Sequence, residues 1–214
     1  MVLLSFQCLG AQADRYAAAP VLLLRLRVTE ETGLPVQAIL LRCQIRIQPA
    51  QRGYADREAT LLGDLFGSPE RWGETLKPMH LATVTAVVPG FTGSSEFDLP
   101  VPCTYDLEVA STKYCFALEH GDIPLLLLFS GSVFLEAEGR LLVAQIPWEK
   151  EVSYRLPVEV WRTLMDIHFP NSGWLRLSRE TLAELQAYKT RRALLTWDEA
   201  VRALLSEATG RSQA

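Results

Sequence analysis

The strongest candidate nucleophile in the chain is Cys103, which closes the segment EFDLPVPC just ahead of a predicted helix. A helix N-terminus stabilises a thiolate and lowers the thiol pKa. Nucleophilic catalysis also needs a base and a group that orients the base. The chain has three histidines, His80, His120 and His168, and none stands at a spacing that assigns it to Cys103. A free cysteine in apolar sequence is also commonly a small buried hydrophobe. What remains for this corner is a small-ligand or enzyme pocket near Cys103, His120 and Trp148, with no reaction assigned.

Arginines form the second pattern. Val21 to Thr29 alternates, with Leu22, Leu24, Leu26 and Val28 on one face and Arg25 and Arg27 on the other. Leu41, Cys43, Ile45 and Ile47 alternate in the same way with Arg42, Gln44 and Arg46. Period two marks half-buried strands, and the intervening EETGLP supplies turn chemistry, so an antiparallel hairpin is expected. That hairpin would put Arg25, Arg27, Arg42 and Arg46 on one sheet face, a surface for an anion or an acidic protein. The alternative is a solvated face whose arginine stems lie over their neighbours. The aromatic loop from Phe169 to Trp174 is the other candidate contact with a partner. No phosphate loop is present: the run PGFTGSS has no lysine after it and opens no predicted helix. No metal-ligand spacing or cofactor motif occurs, and no cofactor is expected.

The elements that position these residues centre on 96–134. Phe97, Leu99 and Val101 alternate with Asp98, Pro100 and Pro102, and the prolines confine this strand to a sheet edge. Thr104 or Asp106 is the expected cap of a helix carrying Leu107, Ala110, Tyr114 and Leu118, with Gly121 as its stop. The run IPLLLLFSGSVF follows, and Leu125 to Phe129 should be buried on both faces. Before it come a helix from Asp56 to about Phe66, a connection containing Trp72, and a strand from Leu81 to Val88. After it, Phe129–Glu136 and Leu141–Trp148 form a second hairpin, and Val152–Leu156 adds a strand. Pro157 suits the first position of a helix with Val158, Trp161, Leu164, Met165 and His168 on its inner stripe. Two more helices follow, capped by Ser178 and by Thr196 with Glu199.

Runs of strands followed by runs of helices predict an α+β fold, one twisted antiparallel sheet or two packed sheets with C-terminal helices. The expected division is a sheet domain over 1–156, a helical extension packed on it over 157–209, and a frayed tail over 210–214. Across 214 residues the net charge is −4, which argues against nucleic-acid binding. No apolar run reaches the ~18–20 residues of a membrane span. The N-terminus lacks the basic start of a signal peptide. Four scattered cysteines are no disulfide framework, and the expected compartment is the cytoplasm.

The segments DLPVPCTYDLEVASTKYCFAL, IPLLLLFSGSVF, QIPWEKEVSYRLPVEVW and FPNSGWLRL resemble an uncharacterised bacterial family best represented in actinobacteria. The resemblance covers nearly the whole chain. It brings no activity, but genes of that family often accompany those for NiFe hydrogenases and their maturation factors. It therefore implies a non-enzymatic accessory protein whose partner is a hydrogenase subunit or maturation factor. Over residues 2–134 the order of elements is also similar to the export chaperone SecB, from which the added helices and second hairpin depart. A purely structural subunit of a larger complex is the further alternative, and it would expose a large apolar patch.

Overall fold

Among the described residues eight strands form two antiparallel sheets, and seven α-helices fill the connections and the C-terminal end. The structure, a computed structural model, describes residues 3–104, 106, 109–137, 139–170 and 176–211. The first sheet has the order β1 (Leu4–Ala13), β2 (Val21–Glu30), β5 (Ser94–Pro102). The second has β4 (Met79–Phe91), β3 (Val36–Ile47) and β6 (Asp122–Ala137). Along its far edge β6 carries β8 (Glu151–Pro157) beside Asp122–Leu128 and β7 (Arg140–Gln145) beside Ser132–Ala137. The fold is α+β, with two sheets packed face to face.

The expected hairpin between residues 21–29 and 41–47 does not form. β2 pairs with β1 and β5, whereas β3 pairs with β4 and β6, so the turn at 31–35 carries the chain from one sheet to the other. Burial explains the choice. Leu22, Leu24, Leu26 and Val28 of β2 and Ile39, Leu41, Cys43, Ile45 and Ile47 of β3 are all buried. Each such side chain is worth about 2 kcal/mol relative to exposure. Two strands side by side would leave both apolar faces looking the same way, while strands in facing sheets cover each other. The core runs between the layers, and the Phe6 ring of β1 stacks on Phe129 of β6 at 4.2 Å.

β6 crosses this core. Ile123, Leu125, Leu127, Phe129, Val133 and Leu135 point inward and are buried. Leu126 and Leu128, expected to be fully covered, are only half-buried, because the outer face of this sheet carries no second layer of strands. Their neighbours in register are Arg46 and Gln44, whose stems shelter part of them. At Gly131 the backbone takes φ 133°, and an added Cβ would meet the Leu40 carbonyl oxygen at 2.0 Å.

The prolines of β5 do keep it at an edge. The helix from Asp56 is realised as α1 (Asp56–Leu61) and α2 (Gly63–Phe66), with Leu62 and Phe66 buried. Then α3 (Trp72–Thr75) holds the Trp72 ring edge-on to Tyr54 and Phe66, where it covers the core margin. Helix α4 (Ala110–Ala117) starts later than expected, and Leu107 lies outside the described residues. Helix α5 (Val158–His168) packs on β1, β2 and β8 through Val158, Trp161, Leu164 and Met165.

The chain divides into two compact units, Met1–Trp174 and Leu175–Ala214, so α5 belongs with the sheets and the division lies after residue 174. The second unit holds α6 (Arg179–Arg191) and α7 (Trp197–Arg211). Ser178 Oγ accepts from the Thr181 amide at 3.1 Å, and Thr196 and Glu199 form the reciprocal cap on α7. Among the described residues no helix is long and apolar enough to cross a membrane.

Candidate functional site

Cys103 does not stand at a helix mouth. α4 begins seven residues later, and Thr104 instead makes a local turn, its Oγ1 accepting from the Asp106 amide at 3.1 Å. The Cys103 amide donates to the Pro20 carbonyl at 2.9 Å and its thiol to the Val101 carbonyl at 3.4 Å. Burial pushes this thiol up to about 12, away from the reactive thiolate. His80 bonds Thr83 at 2.9 Å, the His120 carbonyl accepts from Arg52, and the Nε2 of His168 has no partner among the described residues. Trp148 is 87 % exposed. Among the described residues no hydrogen bond joins the expected trio of Cys103, His120 and Trp148. Among the described residues no cluster of His, Cys, Asp and Glu is positioned to hold a metal.

The four arginines divide between the two sheets, so they do not share the face expected of them. Inward-facing apolar residues on both β2 and β3 turn Arg25 and Arg27 out on one side of the sandwich and Arg42 and Arg46 out on the other. On the first side β5 places Asp98 directly opposite Arg25 and Glu96 opposite Arg27. Arg25 lies 3.4 Å from both acids, and Arg27 lies 2.5 Å from Glu96. Hydrogen bonding from Arg27 holds the Glu96 carboxyl below its ordinary value. On the second side Arg46 donates to Gln44 at 3.0 Å, and neither Arg42 nor Arg46 has a carboxylate partner among the described residues. Phe169 is half-buried against the core, its amide bonded to the Met165 carbonyl at 2.7 Å. Trp174 lies outside the described residues.

The best-built polar constellation is one that the sequence pattern does not advertise. Arg52 and Glu58 form an ion pair at 2.9 Å with side chains only 10 % and 4 % exposed. Glu58 also accepts from the amides of Ala55 at 3.2 Å and Glu119 at 2.8 Å. Burial alone would raise its carboxyl, but those amides and the Arg52 charge outweigh it and the pKa lies below the ordinary value. Arg52 donates further to the carbonyls of Asp122, His120 and Gly53, and its guanidinium lies 5.0 Å from the Tyr54 ring centre. Tyr54 and Tyr114 share a hydroxyl contact of 2.9 Å, and burial raises the pKa of both. With both Glu58 oxygens accepting two bonds each and Arg52 bonded through all three of its nitrogens, this cluster is a clamp that ties α1 to the end of α4 and the start of β6. Two residues six apart across an irregular turn match no motif.

Beside the clamp, α1, α4 and α5 enclose a cleft of about 390 Å³. Its apolar lining includes the buried Trp161 and Met165 and the exposed Phe116. Its rim mixes Arg57, paired with Glu119 at 2.9 Å, with Arg162 and Asp166. Arg162 donates to the Leu118 carbonyl at 2.8 Å. Cys115 lines the cleft, but burial raises its thiol as well.

Two surfaces are conspicuously apolar. In the second unit α6 buries no residue, and Trp197, Val201, Leu204 and Leu205 of α7 are exposed at helical spacing, Leu205 by 61 %. The hairpin is tied by Tyr188 and Arg192 on Glu207 and by Lys189 over the Trp197 ring. In the first unit, Val87, Leu40, Leu141 and Val143 are exposed on the second sheet.

Among solved structures, the chain is similar to beta-glucosidase 3B from Thermotoga neapolitana in complex with alpha-D-glucose, at 11 % identity and a TM-score of 0.28. That likeness covers 72 % of this chain and 17 % of the glucosidase, and it is too slight to carry either fold or function. No curated protein matches the chain. The model of a family of unknown function, DUF6084, matches residues 1–213, and the chain belongs to that family.

Proposed function

We propose that the protein is a non-enzymatic accessory protein, chaperone-like in holding another protein through an exposed apolar surface. The observation that carries this reading is the stripe of Trp197, Val201, Leu204 and Leu205 on α7. Apolar residues at this spacing are how a helix enters a groove on a partner, and exposed patches of this kind mark interaction surfaces. The Cys103 thiol, raised to about 12 by burial, weighs against the alternative of a nucleophilic enzyme. Arg42 and Arg46 supply cations for secondary contacts, and Phe169 an aromatic edge. The partner we propose is a component of a redox enzyme under assembly in the cytoplasm, a NiFe hydrogenase subunit or maturation factor. The test is affinity purification of the tagged full chain from its native host, wild type beside the double variant Val201→Asp/Leu205→Asp. The wild type should recover a hydrogenase component and the variant at least tenfold less of it. Recovery of no such component, or equal recovery by both chains, overturns the reading.

A further inference from the structure

A sheet edge exposes unpaired amides and carbonyls, and proteins blunt such edges with proline, charge, bulges or covering segments. Among the described residues five strands lie at an edge, and four of them carry such a device. β5 has Pro100 and Pro102, β4 has Pro89, and β1 shifts register between Cys8 and Gly10. β8 sets Glu151, Ser153 and Arg155 outward in alternation. β7 has none of these. Leu141, Val143 and the intervening Leu142 are all exposed, Leu141 by 63 % and Val143 by 57 %, and the one charge in the strand is its first residue, Arg140.

The register fixes which groups are free. The Ile146 amide donates to the Gly131 carbonyl at 2.9 Å. In an antiparallel pair the bonded positions alternate, so Arg140, Leu142 and Ala144 bond to Ala137, Leu135 and Val133 of β6. Leu141, Val143 and Gln145 therefore turn their amides and carbonyls away from the sheet. An extended strand laid alongside presents donors and acceptors at this same spacing.

We propose that this strand is the β7 of a second copy, added antiparallel about a two-fold axis at Val143, so that the two five-stranded sheets become one. The pattern is self-complementary about that residue. Val143 meets its own counterpart and Leu141 meets Gln145, so every outward amide of these three residues finds a carbonyl. On the other face Leu142 meets Ala144. Apolar side chains thus adjoin on both faces, and on the outer face they continue the surface formed by Phe134 of β6. Charge also permits the pairing. The two copies of Arg140 fall six residues apart, about 20 Å along the strand, beyond the ~8–10 Å over which exposed like charges repel at moderate salt. An isologous two-fold of this kind is the commonest way for a chain to close on itself.

The pairing uses only the first unit, so it stands or falls independently of the α7 surface. Sedimentation of the full chain at micromolar concentration should show a dimer. Val143→Pro removes an outward amide while leaving the bonds of β7 to β6 in place, and should give a monomer with unchanged far-ultraviolet circular dichroism. Should that variant fail to fold, Val143→Lys serves: it sets two like charges face to face and should weaken the dimer at least tenfold, less so at high salt. Val87→Lys, on the opposite edge of the same sheet, should leave the dimer intact. A monomeric wild type overturns the proposal, as does a dimer indifferent to Val143→Lys or one dissolved equally by Val87→Lys.

Discussion

Glu58 receives hydrogen bonds from two backbone amides and from Arg52 while almost wholly removed from water. Its carboxyl is held below the ordinary value of 4.5. A depressed carboxylate contributes stability that is fully present above its unfolded pKa and is lost as the pH falls through its folded pKa. Glu58→Gln leaves Arg52 buried without its counter-charge, which should cost about 3 kcal/mol at neutral pH. The urea midpoints of wild type and variant should converge as the carboxyl protonates in acid. An equal gap at neutral and acid pH would count against the charge as the cause. Sequence gave no warning of this pair, because its partners are mostly amides and carbonyls brought in by the chain near 120. Cys103 illustrates the opposite case. Its sequence context suggests a helix mouth, but the helix starts seven residues late, and burial rather than the helix then sets the thiol's chemistry.

At the scale of elements, β6 shows how closely the strands are fitted. A Cβ at Gly131 would sit 2.0 Å from the Leu40 carbonyl oxygen, in a backbone conformation that side chains rarely adopt. Gly131→Ala should therefore cost about 3 kcal/mol, roughly 10 °C in melting temperature. Gly10→Ala is the control, since nothing lies within 4 Å of a Cβ there. Similar losses for the two variants would show that close approach is not the reason for glycine at 131. Most strands were legible in the sequence, because period-two alternation with one buried face leaves a direct signature. The edge position of β5 followed from Pro100 and Pro102, and the β6–β7 hairpin from its turn. Strand partners were less legible. The same alternation in β2 and β3 suits neighbours in one sheet and strands in facing sheets alike, and the shared arginine face was lost with the hairpin that implied it.

For the whole molecule, the residues of the hydrophobic core cluster all precede residue 170. A chain ending at residue 174 should accordingly unfold in a single cooperative transition, followed by circular dichroism in urea, whereas one ending at 156 lacks α5 and should not. Equal cooperativity in both would mean that Trp161, Leu164 and Met165 are dispensable to the core. The α+β class was readable from the order of elements, but the place where one unit ends was not, because α5 reads as one more helix in a run of three and its apolar stripe does not name the layer it covers. The long reach of β6 has a further consequence, for synthesis. Arg42 of β3 lies beside Ser130 of β6, 88 residues further along the chain. On the ribosome β3 must wait for that much more polypeptide before its second neighbour exists, its apolar face meanwhile open to the nascent chains around it. Slowing elongation between β5 and β6 should therefore lower the yield of native protein, even though the finished fold is unchanged.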